Sequence, residues 1–202
     1  MNRNKVPALT AALTCAVLLT RRHLRLREYR REVAERTSRL NEADGWTSDG
    51  YIRDQDCFFR YTYRTIPASG NGCGPVAAFN LRRYAGQNPD FSSVLAQMDA
   101  MHWFHMPGPT VMPVMRRYLE EYLPGCREVH GRSAAAVAAE QSKMGVFRYH
   151  EEGVPHFVSY VRAENGFRFF NVSTGEEDVT QPMSAFIEKH LRGGSVKLIC
   201  WE

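Results

Sequence analysis

The chain has 202 residues, 44% hydrophobic and 24% charged, with 15 Gly and 10 Pro. That composition excludes a low-complexity or mainly disordered chain and a polytopic membrane protein, and the length supports one core without disulfides or metal. The net charge of +4 divides unevenly: residues 1–40 hold ten Lys or Arg and three Glu (+7), residues 41–202 sixteen and nineteen acidic residues (−3), so the globular part carries no electrostatic footprint for nucleic acid.

Residues 6–20, VPALTAALTCAVLLT, carry no charge, and Arg21, Arg22, Arg25, Arg27, Arg30 and Arg31 follow. As a helix this run spans ~22 Å against roughly 30 Å of hydrocarbon, short for a crossing. The pattern predicts that residues 1–40 form an apolar and basic helix that anchors the chain to a membrane. The Arg cluster suits anionic lipid headgroups and keeps the remainder cytoplasmic by the positive-inside rule. A secretory signal, with the domain secreted after cleavage, and a plain amphipathic helix are the alternatives. Residues 41–54 read as a linker.

Residues 57–66, CFFRYTYRTI, alternate and suggest a strand, followed by a loop, PASGNG. Apolar spacing predicts helices over 73–84, 91–101, 111–123 and 133–144. Strands follow over 146–149, 156–162, 167–172 and 196–201, with a helix at 183–191 before the last. Helices first and antiparallel strands after predict an α+β domain over 55–202. The five cysteines, Cys15, Cys57, Cys73, Cys126 and Cys200, are odd in number and form no CxxC, which indicates free thiols in a reducing compartment.

The most informative window is Gly70-Asn71-Gly72-Cys73-Gly74-Pro75. Here a cysteine stands between a glycine-rich loop and a helix whose first turn holds Pro75. Free N–H groups and the positive end of the helix dipole are expected to lower the Cys73 thiol pKa and make it a nucleophile. A buried cysteine packing as a small apolar residue is the alternative. A thiolate acting on an acyl group needs a base and an orienting partner. His156 begins the strand HFVSYV, and Glu164-Asn165-Gly166 turns it into FRFFNV, which brings Asn171 a diagonal step from His156.

GNGCGPVAAFNLRRYAGQ, PHFVSYV and GFRFFNV, in that order over roughly residues 55–201, resemble the papain-like cysteine peptidases of the bacteriocin-processing, double-glycine-leader type. The resemblance implies a papain-like fold, with the helical N-terminal half packed on an antiparallel sheet from the C-terminal half. It also implies Cys73 as nucleophile, His156 as base and Asn171 as orienting residue, in a bacterial thiol protease acting on a peptide or protein without a cofactor. One feature departs from the family: its usual Gln about six residues before the Cys is absent. Asn71, with Ser69 and Gln55 as alternatives, is the candidate oxyanion donor, and the lack of that Gln leaves activity open. An amidase or acyltransferase on the same fold and an inactive peptide-binding module are the rival functions.

His102 and His105, in MHWFHM, have no third partner for a metal and could line a cleft. His150, beside Glu151 and Glu152, reads as a solvated turn. Cys57, Cys126 and Cys200 read as packing residues.

Overall fold

The computed structural model describes residues 14–202 except 15, 16, 19, 22, 26, 34, 36–39, 103–107, 152, 173–177, 193 and 194. The chain forms two compact units, Met1–Arg39 and Leu40–Glu202. The described residues of the first are helical as far as Glu35, with Arg31 and Glu35 paired at 3.5 Å. Most of the apolar run 6–20 lies outside the described residues. Among those described, no helix is long and apolar enough to cross a membrane.

The second unit is α+β, with helices in its N-terminal half and an antiparallel sheet built largely from its C-terminal half. The sheet has six strands: β3 (Arg127–His130), β4 (Met144–Glu151), β5 (Val154–Ala163), β6 (Gly166–Phe170), β7 (Asp178–Gln181) and β8 (Lys197–Trp201). Their order is β3-β8-β4-β5-β6-β7, every pairing antiparallel. A separate two-stranded ribbon pairs β1 (Thr62–Tyr63) with β2 (Ile66–Pro67). The helices are α1 (Ala68–Asn71), α2 (Cys73–Tyr84), α3 (Phe91–Ala100), α4 (Met112–Tyr122), α5 (Arg132–Gln141) and α6 (Met183–His190).

The sheet is buried on both faces. Val146, Phe157, Val161, Phe170 and Ile199 face α2, α3 and α4, while Phe147, Val158, Tyr160, Phe169 and Leu198 face α5 and α6. Strict alternation assigns each side chain to one of these cores. Helix α2 is the central element, buried without interruption from Cys73 to Leu81. Arg82 and Arg83 sit in its last turn, where cations suit the dipole, and Gly86 at φ +81° follows its end. Each large apolar side chain so buried contributes about 1.5–3 kcal/mol.

Three expectations need correction. Residues 57–66 do not form one strand: Arg64 and Thr65 both take positive φ (49° and 66°) and fold the segment into the β1–β2 ribbon. Residues 41–54 are not a linker but part of the domain. Ile52 is fully buried, its N–H and carbonyl bonded to the Asn80 side chain at 2.8 and 2.7 Å, and Trp46 packs edge-on against Phe58 and Phe79. The loop expected at 67–72 contains the short helix α1.

Candidate active site around Cys73

Cys73 opens α2, with its sulfur in the core on the α2 side of the sheet. The turn before it is close-packed, and a Cβ on Gly72 would lie 2.4 Å from the Ala68 carbonyl oxygen. Gly74 is equally confined, since a Cβ there would lie 2.3 Å from Thr110 Oγ1. Only a residue without a side chain lets the first turn of α2 seat against Thr110.

The thiol differs from the expectation. Burial pushes the Cys73 pKa up to about 11, against the opposing influence of the Phe157, Gly74 and Cys73 N–H groups and the Arg148 guanidinium. Desolvation of the charged form outweighs the helix dipole, because Cys73 is only 4% exposed. Cys73 and Phe157 share the core on this face, which sets the thiol near the start of β5, next to His156 in the chain.

His156 lies on β5 opposite Tyr149, and the two rings meet edge-on at 5.9 Å. Tyr149 in turn packs on Phe186 and His190 of α6. The imidazole therefore belongs to the α6 side of the sheet, whereas Cys73 belongs to the α2 side. Its Nε2 contacts the Asn171 main-chain oxygen at 2.7 Å, and burial pushes its pKa down. The neutral ring with Nε2–H donating fits that contact.

Asn171 does meet His156, but not through the expected group. Its carbonyl accepts from the ring, and its amide turns to Gln55. Gln55 N–H donates to Asn171 Oδ1 at 2.9 Å, and Asn171 Nδ2 donates to Gln55 Oε1 at 2.9 Å. Asn171 has φ +60°, a left-handed conformation that Asn tolerates, and this sends its side chain and its carbonyl to different partners. Gln55 Nε2 also donates to the Ser69 carbonyl at 3.1 Å. Gln55 thus links residue 171 to the turn before Cys73. Gln55, an alternative oxyanion donor by sequence, instead spends its side chain on Asn171 and the Ser69 carbonyl, following Asp54, which caps a 3-10 turn at Gln55–Cys57.

Asn71 also needs correction as oxyanion donor. Its amide donates to the Tyr63 carbonyl at 2.9 Å and the Gly108 carbonyl at 3.3 Å, which uses both hydrogens. Arg64 donates to the Gly108 and Pro109 carbonyls from the same ribbon. Together these bonds hold residues 108–110 against the start of α2.

A buried polar chain continues from there. Tyr63 Oη contacts Thr110 Oγ1 at 3.0 Å and His102 Nε2 at 2.9 Å. Burial pushes His102 down to about 4; Arg64 adds to the effect and Asp99 opposes it. His102 thus serves a hydrogen-bond chain, and His105 lies outside the described residues. Among the described residues no three His, Cys, Asp or Glu gather as for a metal. Cys57, Cys126 and Cys200 are free thiols whose pKa burial raises, Cys57 to about 12.

His150 stands on β4 two residues beyond Arg148, and alternation puts both on the Cys73 side of the sheet. A cavity of about 560 Å³ lined by Tyr84, Gln87, Tyr122, Met144 and Trp201 opens at the other end of α2 and is remote from the thiol.

No protein-family model matches the chain, and no curated protein matches it. Among solved structures it is similar to the peptidase domain of Streptococcus ComA, a bi-functional ABC transporter involved in a quorum-sensing pathway. The identity is 9%, the match covers 64% of this chain and 91% of that one, and the TM-score is 0.42.

Proposed function

We propose that the chain is a cysteine-peptidase-like hydrolase whose nucleophile is Cys73, with His156 as base and residue 171 as its orienting partner. One observation carries this reading: the thiol opens a buried helix and shares a core with Phe157, the residue next to His156, which the Asn171 carbonyl holds through Nε2. In the reaction the Cys73 thiolate attacks the carbonyl carbon of a peptide or isopeptide. The amine leaves with a proton from the imidazolium, and water then hydrolyses the thioester. The N–H groups of Cys73 and Gly74 supply donors for the oxyanion. In this register His156 and Cys73 lie on opposite faces of the sheet, so the reaction requires the start of β5 to turn over and bring the imidazole to the thiol. The N-terminal Arg-rich segment is proposed to contact anionic membrane surface.

A second reading is a peptide-binding module of the same architecture without catalysis. It is favoured by the His156 ring standing on Tyr149 and by the raised thiol pKa. A thiol-reactive probe on the full chain, read by mass spectrometry at Cys73 near pH 7, decides between them. Rapid labelling that His156→Ala abolishes supports the hydrolase. Labelling that only His150→Ala abolishes moves the base to His150. Slow labelling indifferent to both substitutions leaves the binding module.

A further inference from the structure

We propose that two neighbouring cations on the Cys73 side of the sheet, Arg148 and Lys197, recognise a carboxylate, so that the domain takes acidic peptides. The inference rests on the reading of Cys73 as the centre of the site. Strand register carries it. Arg148 on β4 stands opposite Phe157 on β5 and opposite Lys197 on β8, and Lys197 stands opposite His130 on β3. Met144 and Val146 of β4 lie in the α2-side core, so alternation places Arg148 on that same side, and Lys197 and His130 with it. Three neighbouring strands thus present His130, Lys197 and Arg148 in one row that ends at Phe157, which shares the α2-side core with Cys73.

Like charges directly opposite one another destabilise a sheet. His130 contacts Glu128 at 2.8 Å, apart from the two cations. Among the described residues, neither Arg148 nor Lys197 takes part in an ion pair. Both are half-buried, so water screens them less than fully exposed cations. The row is a local feature, because residues 41–202 carry a net charge of −3. A carboxylate between Arg148 and Lys197 relieves their repulsion, and the Arg fork suits it bidentately. The start of α2 adds positive potential at the same end of the row.

The carboxylate comes either from an Asp or Glu side chain or from a peptide C-terminus. Three peptides carrying a neutral fluorophore separate these sources: one with central Glu and an amidated end, one with Gln and an amidated end, and one with Gln and a free C-terminal carboxylate. Each is titrated against the full chain bearing Cys73→Ala, with and without Arg148→Gln plus Lys197→Gln. One of the two carboxylate peptides is expected to bind about five- to tenfold tighter than the neutral one, and the double substitution removes that preference. Arg148→Lys retains most of it, which separates charge recognition from a folding defect. Equal affinities for all three peptides, or a preference that survives the double substitution, overturn the proposal. Since Cys73→Ala protein cannot react, this result stands apart from the labelling test above, whose failure removes the hydrolase alone.

Discussion

Asn171 and Gln55 hold each other by two reciprocal hydrogen bonds of 2.9 Å, while the Asn171 carbonyl holds His156 at 2.7 Å. One residue with left-handed backbone therefore ties Gln55 to β5, and Gln55 carries the link on to the turn before Cys73. Asn171→Gly keeps the carbonyl contact and the φ of +60° and loses only the amide bonds, an expected cost of about 1–2 kcal/mol. Asn171→Val adds backbone strain and is expected to cost about 1–3 kcal/mol more. Urea unfolding of the two variants checks the order; equal losses would mean that the left-handed backbone contributes nothing.

The raised Cys73 pKa has a definite sign. The folded state favours the protonated thiol, so its contribution to stability is complete below the ordinary value of 9.0 and is lost as pH rises toward about 11. Cys73→Ala is expected to show a shallower fall in stability over that window. Thermal unfolding of both proteins between pH 8 and pH 11 measures it, and parallel curves would exclude a raised thiol.

His102 works in the opposite direction along the pH axis. Its folded pKa of about 4 lies below the ordinary 6.5, so its contribution is present above 6.5 and is lost as pH falls toward 4. His102→Gln should flatten that acid limb. Tyr63→Phe, which removes the hydroxyl joining His102 to Thr110, is expected to cost about 1–3 kcal/mol at neutral pH. Denaturant titrations at several pH values give both numbers.

Gly74→Ala would press a methyl group to within 2.3 Å of Thr110 Oγ1, on a side chain only 1% exposed and hydrogen-bonded to Tyr63. Overpacking of this kind costs about 1–3 kcal/mol. Gly86→Ala meets no atom within 4 Å, and its cost comes from the positive φ alone. Gly74→Ala, unlike Gly86→Ala, should also change the labelling rate of Cys73, which a single probe experiment on the two variants reads.

The N-terminal segment is tested by vesicles. A chain of residues 1–202 is expected to sediment with anionic vesicles and a chain beginning at Asn41 to stay in the supernatant, the difference shrinking with salt. Equal partitioning of the two would remove the membrane role.

Apolar spacing made much of this architecture legible in advance. Helix 73–84 has the expected bounds, and β5 and β8 are within a few residues of theirs, because each has an uninterrupted buried face. The ribbon at 62–67 was not legible. Two non-glycine residues at positive φ leave no compositional mark, and Tyr61, Tyr63 and Ile66 mimic a longer strand. Strands β3 and β7 escaped because each has only four residues and neither is fully buried. In the site, Cys73 and the hairpin bringing Asn171 toward His156 followed from local motifs. The partnership of Asn171 with Gln55 spans 116 residues and has no local signature. The raised thiol pKa depends on how deeply the helix start is buried, which spacing does not reveal.

Strand β8 lies between β3 and β4, both earlier in the chain. Residues 127–130 and 144–148 thus meet through residues 197–201 rather than directly. During synthesis β4, β5 and β6 can pair as soon as they emerge, but the sheet stays split until β8 has been made and inserted. The nascent domain therefore exposes the β4 edge and the apolar underside of α2 during that interval, and completion waits on contacts of long sequence separation, which form slowly. For a sheet with this strand order, the strand of the sheet that is made latest is the one that closes the core.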